Sequence, residues 1–84
     1  MTTISKITKS DVIAVIETAL EMQPGLLLDN ARAEEEEAWD SLGQLSILVA
    51  LDKLFSGKIA GLTEMAEANS ISKILTILSK KNLI

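Results

Sequence analysis

Val12, Ile13, Ile16, Ala19 and Leu20 stand at i, i+1, i+4, i+7 and i+8, and Ile47, Leu48, Leu51, Leu54 and Phe55 repeat the same intervals. That spacing paints one face of a helix of 3.6 residues per turn and cannot be laid on a strand, whose faces alternate residue by residue. Ile71, Ile74, Leu75 and Leu78 form a third such stripe. Breakers stand between the stripes: Pro24-Gly25 after the first, Ser56-Gly57-Lys58 after the second. The chain therefore predicts an all-α fold, three main helices plus one short helix, as a single domain over residues 1–84 with its core in about 10–79. The first helix is expected from about Ser10 to Met22, capped by Thr8 or Ser10, with Asp11 complementing its dipole and Pro24-Gly25 ending it. A long loop, Gly25 to Trp39, leads to the second, which starts at Asp40 or Ser41 and reaches Phe55. Leu26, Leu27 and Leu28 are too apolar for solvent and should tack this loop to the core. Ile59 returns as an anchor, Thr63 caps a short helix through about Ala68, and Ser70 caps the last helix, whose end Lys80 and Lys81 suit. Ile47, Leu51 and Phe55 should be buried against Ile16, Leu20, Ile74 and Leu78.

The chemistry open to the chain is narrow. Its 84 residues include no His and no Cys, so no imidazole can activate a serine, and disulfides and thiolate metal ligation are excluded. No carboxylate pair stands out with a credible pocket, so the chain is not expected to be an enzyme. A net charge of −4 opposes binding to nucleic acid, which depends on neutralising phosphates, and equally opposes anionic membrane surfaces. No apolar run approaches the ~20 residues that span a bilayer, and Met1 to Lys6 lack the apolar core of a secretion signal. A cytoplasmic monomer without stable membrane insertion is expected, with basic patches on other proteins as its natural complement.

Two surface features point to such partners. Leu42, Ser46, Val49 and Lys53 project from the second helix opposite its core stripe, with Leu45 at the edge. Three apolar side chains facing outward are either covered by another element or form a partner surface. Just ahead of that helix, Glu34, Glu35, Glu36 and Glu37 make a run that reads either as a solvated lead-in or as a docking patch. It lacks the alternating pattern of a calcium loop, and no metal is expected there.

The most specific stretch is Trp39-Asp40-Ser41-Leu42-Gly43-Gln44-Leu45. A serine at a helix start with no catalytic apparatus is a cap or a site that another enzyme modifies. Asp40-Ser41-Leu42 resembles the attachment motif of the acyl carrier proteins, in a version where Trp precedes the Asp. The likeness runs over roughly residues 10 to 79, in helix order, the long first loop and the Phe that ends the second helix. It implies a 4'-phosphopantetheine arm on Ser41, added from coenzyme A by a phosphopantetheinyl transferase with magnesium, Asp40 helping that enzyme engage the serine. Acyl groups then ride as thioesters on the arm, delivered and removed by acyl-loading and acyl-transfer enzymes, so the missing thiol is the cofactor's to supply. A phosphodiester at Ser41 also suits the free N–H groups of a helix start. Gly43 leaves room for the arm. Trp39 is read as a loop anchor or as a contact beside the arm. Gln44, Ile47, Leu48 and Leu51 are positioned to line a space for the acyl chain, or, for the three aliphatics, simply to pack. Fatty-acid carriers show several acidic residues along the second helix, where this chain has Gly43, Ser46 and Lys53, leaving Asp40 and off-axis Asp52. That departure fits a specialised lipid, polyketide or other acyl-transfer pathway better than general fatty-acid synthesis. An aminoacyl carrier and an unmodified helical interaction module are the alternatives. The absence of Gly-Gly before the serine weighs against peptidyl carriers.

Overall fold

In the computed structural model, which describes residues 7–84, the three apolar stripes become three α-helices. They are α1 (Lys9–Ala19), α2 (Ser41–Leu54) and α3 (Ile71–Lys80), joined by two 3-10 turns, η1 (Ala33–Glu35) and η2 (Thr63–Glu67). Met1 to Lys6, the stretch read for a secretion signal, lie outside the described residues. No helix among the described residues is long and apolar enough to cross a membrane.

Each helix begins on a side-chain cap. Thr8 forms a reciprocal box with Asp11: the Asp11 amide donates to Thr8 Oγ1, and the Thr8 amide donates to Asp11 Oδ2. Asp40 receives the Gly43 amide at 2.8 Å, and Ser70 receives that of Lys73 at 3.1 Å. The helix ends share one device. Beyond α1, Glu21 takes a left-handed φ of 59° while the Met22 amide donates back to the Glu17 carbonyl. Ser56 and Asn82 repeat this after α2 and α3, with φ of 57° and 59°, the geometry of a Schellman cap. This stops α1 at Ala19, short of the expected Met22, so Pro24-Gly25 does not end it. The short helix differs too. It is a 3-10 turn with Leu62 at its cap position, and no side chain caps it, so Thr63 is its first residue and not its cap.

The core joins Val12, Ile16 and Leu20 of α1 and its end to Ile47, Leu51 and Phe55 of α2 and to Ile71, Ile74 and Leu78 of α3, with Ile59 and Met65 wedged between. Leu48 and Leu54 are only half-buried. α1 packs along α2, and η2 bridges α2 to α3. Between α1 and α2 the chain is pinned at three points. The amides of Gly25 and Leu27 both donate to Glu17 Oε2 at 2.9 Å, on a carboxylate whose residue is only 6% exposed. Lys9 pairs with Asp29 at 3.0 Å. An isolated antiparallel bridge joins Arg32 to Ser70, the Ala33 amide donating to Asn69 and the Ile71 amide to Ala31. Of the three leucines expected to tack this connection down, Leu27 is buried but Leu26 and Leu28 stay exposed. Polar ties supply what those two do not.

Candidate functional site

Ser41 is the first residue of α2, exposed. The cap is Asp40, whose carboxylate takes the Gly43 amide. That resolves which of the two residues caps the helix: the Ser41 hydroxyl has no capping duty, and its oxygen has no hydrogen-bond partner among the described residues. It lies at the rim of a cavity of about 480 Å³ lined by Glu34, Trp39, Asp40, Gln44, Glu67 and others.

The floor of that cavity is fixed by two side chains. Trp39 is buried, and its indole N–H donates to Gln44 Oε1 at 2.6 Å. The Gln44 amide nitrogen in turn donates towards the carbonyls of Met65, Ala66 and Ala68 at 3.4, 3.2 and 3.1 Å. An amide on the inward side of a helix is thereby satisfied at both ends, and it clamps the start of α2 to η2. Trp39 is a loop anchor, and Gln44 is a tie rather than part of an apolar lining. Ile47 and Leu51 are fully buried in the core, and neither lines a cavity beside Ser41.

Gly43 proves to have a packing reason that spacing alone does not reveal. A Cβ there would meet the Ala38 carbonyl oxygen at 2.4 Å and Leu20 Cδ2 at 2.8 Å. The backbone leading into α2 passes where a side chain would go. The room at Gly43 is filled by the protein itself and is not open to an arm.

The outward row is where the periodicity puts it: Leu42 is 74% exposed, Leu45 57% and Val49 49%, with Ser46 and Lys53 exposed beside them. Nothing in the described chain covers Leu42. Leu45, Ser46, Val49 and Lys53 line one wall of a groove of about 650 Å³ whose other wall is α1. The four glutamates do not form a uniform patch. Glu34 and Glu35 lie in η1, Glu34 pairs with Arg32, Glu36 is half-buried and Glu37 is exposed. Off-axis Asp52 is occupied, its Oδ1 accepting from the amides of Ile59 and Ala60 at 3.1 and 2.8 Å. It secures the turn after α2. No group of acidic residues among those described is arranged to hold a metal ion.

The residues that reading the sequence missed are Glu17 and the two-ended role of Gln44. The signal for Glu17 was a lone carboxylate one position after Ile16, inside an apolar stripe. Set against known proteins, the chain matches no family model, no curated protein and no solved structure.

Proposed function

We propose that this protein is an acyl carrier in which Ser41 bears a 4'-phosphopantetheine arm. The observation that carries this reading is a division of labour at the start of α2. Asp40 does the capping, which leaves the neighbouring Ser41 hydroxyl exposed and uncommitted at a helix N-terminus. Asp40 satisfies one of the first-turn amides, and the others are oriented to meet a phosphodiester, with the helix dipole favouring its charge. The Trp39–Gln44 clamp ties that first turn to η2, so a modifying enzyme meets a free hydroxyl on an anchored backbone. Catalysis by the chain itself forms no part of the proposal. Asp40, Ser41 and Leu42 make up the recognition motif by resemblance to acyl carrier proteins. The exposed Leu42, Leu45 and Val49, with Ser46 and Lys53 beside them, supply a surface over which a phosphopantetheinyl transferase and acyl-transfer enzymes reach the arm.

The test is direct. The apo protein is incubated with a broad-specificity phosphopantetheinyl transferase, magnesium and coenzyme A, and its intact mass is measured. One added phosphopantetheine on the native chain and none on Ser41→Ala is the expected result. Failure of the native chain to gain mass removes the carrier reading and favours an unmodified interaction module that uses the same apolar row.

A further inference from the structure

Two cavities lie along α2, one at Ser41 and one that begins a turn beyond it. The one at Ser41, on the η2 side, has the acidic residues Glu34, Asp40 and Glu67 in its lining. The other is the groove between α1 and α2, walled by Ala14, Val15 and Ala19 on one side and by Leu45, Val49 and Ala50 on the other, with no carboxylate in its lining. Its volume of about 650 Å³ falls within the range of small-molecule sites.

The groove is in reach of the serine. Leu45 lies one turn beyond Ser41 and is displaced from it by only about 40° around the helix. Lys53, at the far end of the lining, is about 18 Å along the axis at 1.5 Å per residue, so the groove runs lengthwise beside α2 from just past the serine. The aliphatic core residues of the bundle line neither cavity. Ile16, Ile47, Leu51 and Leu78 have no exposed surface and Ile74 only 1%, and none of them lines either cavity. On the η2 side, the Trp39–Gln44 clamp bars the way inward from Ser41.

We infer that the α1–α2 groove holds an aliphatic acyl chain borne on the Ser41 arm, outside the bundle and not within it. This rests on the carrier reading above, and it narrows the cargo to an aliphatic chain in preference to an aminoacyl group. An ammonium-bearing cargo finds its complement in the acidic cavity on the other side; a hydrocarbon finds it among the alanine and valine side chains of α1 and α2. Because Val15, Ala19 and Ala50 are only half-buried and Ala14 is exposed, the groove accepts a chain without opening the core.

Isotope-labelled apo protein is loaded from octanoyl-coenzyme A by the transferase, and loading is confirmed by mass. Nuclear Overhauser contacts are then collected between the unlabelled octanoyl chain and the protein methyl groups. Contacts to Val15, Ala19 and Val49 are expected. Contacts to Ile47, Leu51 and Ile74, or none at all, overturn the groove assignment while the mass gain leaves the carrier reading intact. No mass gain removes both. In a second arm, Ala14→Phe fills the groove from its exposed wall. Hydroxylamine cleavage of the octanoyl thioester should rise roughly threefold to tenfold, with cleavage of the acetyl thioester unchanged. Equal octanoyl rates in the native and Ala14→Phe proteins overturn the assignment.

Discussion

Single residues at the start of α2 divide their tasks in a way that stability measurements can separate. Asp40→Ala should cost about 0.5–2 kcal/mol through loss of the cap, whereas Ser41→Ala, which removes no cap, should cost under about 0.5 kcal/mol; urea denaturation of both variants checks the order. Gly43→Ala is expected to destabilise by about 1–3 kcal/mol, because the new methyl meets a backbone carbonyl that cannot rotate away. Glu17→Ala leaves the amides of Gly25 and Leu27 without their acceptor, at a cost of about 1–3 kcal/mol. Glu17→Gln should lose less in the same urea titration, since its carbonyl oxygen can receive the same two donors. These positions also mark the limit of what could be read beforehand. Ser41, Asp40 and the outward Leu42, Leu45 and Val49 were legible because caps and periodicity are local. Glu17, Gly43 and Gln44 were not, because each answers to backbone groups up to 24 positions away, and no local pattern announces which carbonyl will arrive.

Among the elements, the apolar stripes and the ends of α2 and α3 were legible, and the end of α1 was not. Phe55→Ala should cost about 3–5 kcal/mol and Val49→Ala under about 1 kcal/mol, since Phe55 closes the core and Val49 faces outward. Equal losses in thermal unfolding would mean that α2 is rotated from the orientation described. The helices stop at left-handed residues that carry side chains; Ser56 is announced by the glycine beside it, but Glu21 gives no such warning. Replacing each with the residue the geometry prefers should therefore stabilise. Glu21→Gly and Ser56→Gly are each expected to add about 0.5–1 kcal/mol, the relief of left-handed strain exceeding the entropy lost by glycine. A fall in melting temperature for either variant would contradict the cap described for that helix end.

For the whole molecule, the acidic run and the apolar row combine at different distances if partners dock here. Changing Glu34, Glu35, Glu36 and Glu37 together to Gln should slow modification of Ser41 at low salt and flatten its salt dependence, because long-range attraction is what ionic strength screens. Val49→Asp should weaken partner binding with the fold intact. Native loading rates in the Gln variant at low salt would reduce the run to a solvated lead-in. The bridge between Arg32 and Ser70 has a consequence of another kind. With the Ala33–Asn69 and Ile71–Ala31 hydrogen bonds it ties together the two ends of the segment that contains α2. The amides of Ala33 and Ile71 are released together when that tie opens. Native-state hydrogen exchange should therefore find Ala33 and Ile71 opening as one cooperative unit, with a shared dependence on denaturant. Ser41 thus rides on a stretch of backbone that is tied down at both of its ends.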